Sequence, residues 1–181
     1  GRPPRVRGFL DEETIDVGVH GPDNLSDKFT SKYLDDELGP RYAFGHGGGY
    51  GRFVYDSPTV WSAALALDQL IDGMTFDVSI GLENIGDRTA DDVIMVFVED
   101  PVSRQAPPVR RLVAFERMTL EPGERREASF SLGQDALATW FTDVEPPRRE
   151  IEPGELVVHI GPRLDRTQGL SVVIDAGEPR I

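Results

Sequence analysis

The sequence predicts an all-β fold, an antiparallel sandwich. Three observations favour it: short runs in which apolar and polar residues alternate, Pro-Gly turns between those runs, and no long amphipathic helical pattern. About seven short strands at close spacing are typical of two packed antiparallel sheets. Because the pattern begins at Arg52, we predict that the sandwich domain spans residues 52–181.

The first part of the predicted sandwich contains a half-buried strand and a central strand. Apolar and polar side chains alternate from Phe76 to Leu82, and Asn84 to Asp87 then form a turn signal. Val93 to Val98 is apolar at every position, which indicates a strand covered on both faces. It ends before Pro101, because proline cannot donate to a strand ladder. A shorter strand is expected over Arg52–Tyr55, directly after a glycine-rich run.

The second part contains strands separated by two similar turns. Leu112–Leu120 is a longer strand, and Glu121-Pro122-Gly123-Glu124 has proline and glycine where a type II turn requires them. Glu152-Pro153-Gly154-Glu155 is expected to repeat that turn, and residues 135–139 to form one helical turn. Three more strands are predicted, over Ala128–Leu132, Leu156–Ile160 and Leu170–Ile174.

Residues 1–51 differ from the rest of the chain. They lack sustained periodicity and end in the glycine-dense run Phe44–Gly51, so this segment cannot bury enough apolar surface to fold alone. Its aromatic residues suggest that it packs along another surface. We therefore predict that residues 1–51 are a linker or extension that packs on a neighbouring domain. The aromatic residues concerned are Phe29, Tyr33, Tyr42 and Phe44.

Composition excludes several classes of function. The 181 residues include no cysteine, so neither a disulfide framework nor a zinc-thiolate site is possible. The net charge is −13, from 32 acidic and 19 basic residues, and such a surface repels nucleic acid and anionic membranes. No apolar run approaches the roughly 20 residues of a spanning helix. No cofactor is indicated, and the cellular compartment stays open.

No catalytic or metal-binding motif is evident. His20, His46 and His159 share no ligand-type spacing, and His159, between two apolar strand residues, is expected to face solvent. Glu99 and Asp100 end a strand, where a calcium site is an alternative to ordinary solvated charge. The Gly-x-Ser-x-Gly nucleophile motif is absent. The sequence therefore assigns no catalytic residue and no metal ligand.

A few exposed rings are candidates for contact with a sugar. Aromatic rings stack on sugar rings, which makes Tyr50 and Trp61 candidate substrate contacts together with His46. The pair Trp140-Phe141 lies in a predicted strand, where core or inter-domain packing is expected instead. Residues 45–51 do not form a phosphate loop, because a strand follows them rather than a helix.

Several segments, taken in chain order, resemble the C-terminal region of glycoside hydrolase family 3. Phe44-Gly45-His46-Gly47 is similar to the family's Phe-Gly-His/Tyr-Gly signature, although the usual Leu-Ser-Tyr-Thr after it is replaced by Gly48–Gly51. Leu82–Gly86 resembles its Val-x-Asn-Thr-Gly turn, and Val96–Pro101 its Leu-Tyr-Val-x-Asp-Pro segment. Further similar segments are Gly1-Arg2-Pro3, Phe29–Asp35 and Pro108–Phe115.

The resemblance implies an immunoglobulin-like or fibronectin type III-like sandwich in a retaining, exo-acting β-glycosidase of the β-glucosidase type. The family's aspartate nucleophile and glutamate acid/base belong to upstream domains, and no position here matches either motif. The expected role is a non-catalytic accessory domain that stabilises the catalytic domains and edges the substrate cleft. Its partners would be upstream catalytic domains, in the same polypeptide or a companion chain. The whole enzyme would act on oligo- or polysaccharide β-glycosides.

A second hypothesis is a stand-alone carbohydrate-binding or adhesion β-sandwich module. A planar row of exposed aromatic residues that includes Trp61, on one face of the sandwich, would favour it. Sugar, linkage and oligomeric state stay open on either hypothesis.

Overall fold

The computed structural model describes residues 42–104 and 108–177. The predictions for residues 1–41 lie outside the described residues. Two short helices, α1 Leu67–Ile71 and α2 Gln134–Leu137, accompany the strands, and neither is long and apolar enough to cross a membrane. The strands are β1 Phe53–Tyr55, β2 Thr59–Val60, β3 Ala64–Ala66, β4 Phe76–Asn84, β5 Ala90–Glu99, β6 Arg111–Leu120, β7 Arg125–Leu132, β8 Thr139–Phe141, β9 Arg148–Glu150, β10 Gly154–Gly161 and β11 Gln168–Asp175.

Within the described residues these strands form two main sheets and a small β8–β9 ribbon. In the four-stranded sheet, β1 and β2 pair with β4 on one side and β7 pairs with it on the other. The five-stranded sheet has the order β3-β11-β10-β5-β6. Alternate side chains of both sheets meet in one core, among them Val78, Ile80, Phe130, Ile94, Val96, Val158 and Ile174. The predicted all-β sandwich is confirmed.

One pairing departs from the predicted antiparallel pattern. Strand β3 runs parallel to β11, with Ala64 beside Val173 and Leu65 beside Ile174. Residues 64–66 are too few to show a period of two, which is why the sequence did not reveal this strand. The predicted helical turn at 135–139 is present as α2.

The two Glu-Pro-Gly-Glu tetrads differ in geometry. At the first, Glu124 N donates to Glu121 O at 3.0 Å and Gly123 has φ +76°, as a type II turn requires. At the second, Gly154 has φ +144° and is already the first residue of β10. The prediction that the second tetrad repeats the first is therefore wrong, because pairing with β11 extends the backbone there.

A buried asparagine joins two turns at one end of the sandwich. The Asn84 side chain is fully buried, and its Nδ2 donates to the carbonyls of Arg88 and Leu120 at 2.9 Å each. Its Oδ1 accepts from Gly86 N at 2.9 Å. These bonds fix the β4–β5 turn against the end of β6. They give a physical reason for asparagine in the Asn84-Ile85-Gly86 segment, since an apolar residue would leave these backbone groups unpaired.

Candidate functional site

The outer face of the five-stranded sheet, which points away from the core, is covered by two segments. We call residues 42–46 the connector and residues 162–167 the capping turn. The two are joined by a hydrogen bond from Leu164 N to Phe44 O at 3.0 Å. The Phe44 ring meets Phe97 edge to face, with centroids 6.2 Å apart, and Phe97 is only 2% exposed although it lies on the outer face.

A glycine lets the connector lie directly on the sheet. Gly45 has φ +80°, a conformation that residues with a side chain rarely adopt. A Cβ at this position would be 2.8 Å from Met95 Cε and 3.3 Å from Arg163 Cα. The glycine of the Phe-Gly-His-Gly segment is therefore required both for the backbone conformation and for the close approach to β5.

Beneath the capping turn lies a group of three charged or titratable side chains. Glu99 Oε2 accepts from Arg110 Nε at 2.9 Å and contacts His159 Nε2 at 2.8 Å. Arg110 Nη1 also donates to Leu164 O at 3.2 Å. The capping turn is thus fixed to β5 and β10 through Arg110 and Glu99, and the connector is fixed to the capping turn.

The surroundings shift the pKa of both titratable groups. Burial, followed by the nearby Arg110 charge, lowers the pKa of His159, and the bond to Glu99 only partly opposes this. Burial would raise the pKa of Glu99, but hydrogen bonds from Arg110 and His159 outweigh it, so that pKa is lowered. Near neutral pH the carboxyl is therefore ionised and the imidazole neutral. Because a carboxylate only accepts, His159 Nε2 carries the proton and donates.

The prediction that His159 faces solvent is wrong, and the calcium alternative at Glu99-Asp100 is not favoured. His159 is 8% exposed and does not face solvent, because the segment 162–167 folds back over its side of the sheet. The Glu99 carboxylate is engaged by Arg110 and His159, which argues against a calcium site at Glu99-Asp100. Across residues 42–104 and 108–177 the structure contains no group of three or more His, Cys, Asp or Glu that could hold a metal ion.

Exposed aromatic residues lie beside this covered face. Tyr42, Phe44 and Phe115 are 63%, 58% and 68% exposed, and we call them the aromatic patch. Phe115 is paired with Met95 across β5 and β6, and Met95 lies under Gly45, so Phe115 is next to the connector. A group of large exposed aromatic side chains is typical of a surface that another protein element covers.

The three candidate sugar contacts are not brought together. His46 is exposed in the connector, where its Nδ1 lies 3.1 Å from Arg163 Nη1 and its ring contacts the Tyr42 ring at a tilt of 39°, with centroids 4.7 Å apart. Tyr50 is 91% exposed. Trp61 is 86% exposed and belongs to the other sheet, where its N donates to Asp77 O at 3.0 Å.

Core packing, one of the two alternatives expected for Trp140-Phe141, is seen for Phe141, while inter-domain packing stays a prediction for Trp140. Phe141 is fully buried under the Arg104 guanidinium, which lies 4.1 Å from the ring centroid. Trp140 points outward on β8 and is 60% exposed. Because strand residues alternate in direction, only one of two neighbours faces the interior.

Comparison with protein families defines the class of domain. The fibronectin type III-like domain family matches residues 92–163, which run from β5 through β10. The two-sheet architecture is the one expected for a sandwich of this type. The chain therefore contains a fibronectin type III-like β-sandwich.

Individual relatives extend this result. The chain is 34% identical to a periplasmic β-glucosidase of Salmonella typhimurium over 74% of its own length and 16% of the relative's. It is 30% identical to a β-xylosidase of Formosa agariphila, over 72% of the chain and 17% of the relative. A solved β-glucosidase of Erythrobacter marinus superposes with TM-score 0.71 at 29% identity, over 80% of this chain and 18% of that one.

These matches identify the chain as the fibronectin type III-like, C-terminal region of glycoside hydrolase family 3. The chain spans about a sixth of the length of the curated relatives it matches.

Proposed function

We propose that this chain is a non-catalytic accessory domain that stabilises the catalytic domains of a larger β-glycosidase. The observation that carries the proposal is the aromatic patch of Tyr42, Phe44 and Phe115 beside the connector. A patch of this composition fits burial against a partner protein, since aromatic residues are enriched at the centre of interfaces.

The position of the patch supports an upstream partner. Residues 1–41 directly precede the connector in the sequence, so a domain upstream of them would be linked to the sandwich through the connector. The capping turn and the Arg110–Glu99 pair hold the connector on the sheet, which would present Phe44 in a fixed position. The prediction that residues 1–51 pack along a catalytic domain remains part of this proposal, with the difference that the connector, residues 42–46, also lies on the sandwich's own sheet.

The chemistry would then belong to the partner domains. The resemblance implies that the nucleophile and the acid/base lie in upstream domains. A retaining glycosidase needs these two carboxyl groups about 5–5.5 Å apart, so both would belong to the partner domains. The relatives named above are β-glucosidases and a β-xylosidase, so the expected substrates of the whole enzyme are β-glycosides. His46, in the connector, and Tyr50, shortly after it in the sequence, are the residues that would edge the substrate cleft.

The direct experiment measures hydrolysis of an aryl β-glucoside by the isolated 181-residue chain and by the natural polypeptide that contains it. We expect turnover only from the natural polypeptide, which should also have an intact mass several times that of this chain. Turnover that stays with the isolated chain through repeated purification would overturn the proposal. A natural protein of 20.0 kDa that binds polysaccharide would instead favour the stand-alone module.

A further inference from the structure

The outer face of the four-stranded sheet contains a groove that the proposed docking does not use. We call it the open groove; its volume is about 420 Å³, and it is lined mainly by polar side chains. The groove is open to solvent along its length rather than enclosed, so a ligand would lie along the surface. The polar lining residues are Asp56, Ser57, Thr59, Ser79, Arg125, Arg126 and Glu127.

The groove is built around a glycine and an ion pair. Asp56 N donates to Gly81 O at 2.9 Å, and the Asp56 carboxylate occupies the space that a side chain on Gly81 would fill. Arg125 Nη2 pairs with the same carboxylate at 2.5 Å. Beside them, the hydroxyls of Thr59 and Ser79 are hydrogen-bonded at 2.9 Å. Carboxylate, guanidinium and hydroxyl groups therefore face the same space.

An exposed tryptophan extends this surface. Thr59 faces outward, Val60 packs against the core, and Trp61 continues the pairing of β2 with β4 through its bond to Asp77 O. Alternation therefore places Trp61 on the same face as Thr59, about 7 Å further along the strand. Since 86% of Trp61 is exposed, its ring is available for stacking.

The chemistry of the surface selects one class of ligand. The ring faces of a sugar stack on an indole, and its hydroxyl groups both donate to carboxylates and accept from guanidinium groups. The guanidinium groups of Arg125 and Arg126 are paired with the carboxylates of Asp56 and Glu124, and the chain carries a net charge of −13, which disfavours an anionic ligand. We propose that the open groove and Trp61 together bind a neutral oligosaccharide chain. This proposal does not depend on docking to catalytic domains.

Intrinsic fluorescence tests the proposal on the 181-residue chain. The sequence has two tryptophans, so Trp140→Phe leaves Trp61 as the sole indole reporter. The probes are a β-1,4-linked glucose tetrasaccharide and a galacturonic acid tetrasaccharide of the same length. We expect a saturable change in Trp61 fluorescence with the neutral probe at millimolar concentration, and a much weaker change with the acidic probe. No saturable change with the neutral probe, or stronger binding of the acidic one, would overturn the proposal.

Calorimetric titration of variants locates the site. Trp61→Ala should weaken binding of the neutral probe by about tenfold, because it removes the stacking surface. Gly81→Ala should weaken it by a similar factor, because the new methyl group displaces the Asp56 carboxylate. Trp140→Ala is the matched control, because it removes an equally large exposed indole that lies outside the groove. Circular dichroism would verify that each variant keeps the fold. Equal weakening by Trp61→Ala and Trp140→Ala would contradict this location.

Discussion

The two outer faces of the sandwich have opposite surroundings, although the inner faces of both sheets pack in one core. On the five-stranded sheet the connector and capping turn leave Phe97 2% and His159 8% exposed. On the four-stranded sheet the groove around Gly81 is open and Trp61 is 86% exposed. The two sheets share one core, but segments that fold back over one sheet decide which outer face is exposed to solvent.

The largest expected difference between the faces is in the loss of unfolding free energy when a glutamate is replaced by alanine. Glu99→Ala should lower the free energy of unfolding by about 2 kcal/mol, because it leaves the partly buried Arg110 and His159 without their shared partner. Glu127→Ala, on the open face, should change it by less than about 0.5 kcal/mol. Urea unfolding of both variants measures this. Similar values for the two variants would show that the faces do not differ energetically.

A smaller difference in stability is expected between alanine variants of two glycines near the start of the described residues. Gly45→Ala should destabilise the domain by about 1 kcal/mol, because its φ is positive and the new methyl group would press on Met95. Gly47→Ala should be close to neutral, since no atom lies within 4 Å of the added Cβ. Thermal unfolding compares the pair. If Gly45→Ala is as stable as Gly47→Ala, the connector does not lie on β5 in solution.

The smallest effect is a dependence on pH. The pKa of His159 is lowered from 6.5 in the folded state, so the unfolded chain binds more protons just below that pH. The contribution of neutral His159 to the free energy of unfolding is fully present above about pH 6.5 and is lost as the pH falls. Glu99, whose pKa is lowered from 4.5, adds a second loss only in more acidic solution. His159→Gln should therefore flatten the decline in unfolding free energy as the pH falls below about 6.5. An unchanged decline would mean that His159 is accessible to solvent.

Local sequence patterns were sufficient for the main strands. Alternation from Phe76 to Leu82 and the apolar run Val93–Val98 predicted β4 and the central strand β5, and Pro122-Gly123 predicted the turn after β6. These features depend on neighbouring residues, whose periodicity and turn preferences are visible in one segment. The family resemblance, which the comparisons confirm, also came from such short segments in their order.

Features that depend on contacts between distant segments could not be predicted from the local sequence. Alternation placed His159 on an outer face, but nothing near it in the sequence showed that residues 162–167 would cover that face. Likewise, Thr59 and Trp61 meet Ser79 and Asp77 only through strand pairing, so the open groove had no local signal. Trp61 was a candidate for sugar contact from its residue type alone.

The proposed docking surface for a protein partner is the aromatic patch beside the covered face. The most direct test uses the natural polypeptide that contains this chain and compares Phe44→Ser/Phe115→Ser with Trp61→Ser. We predict that the double variant lowers both the melting temperature and aryl β-glucoside hydrolysis, because it removes two of the three residues of the aromatic patch, while Trp61→Ser leaves both near the unmodified values. If the double variant matches the unmodified protein in stability and activity, the aromatic patch does not dock on catalytic domains.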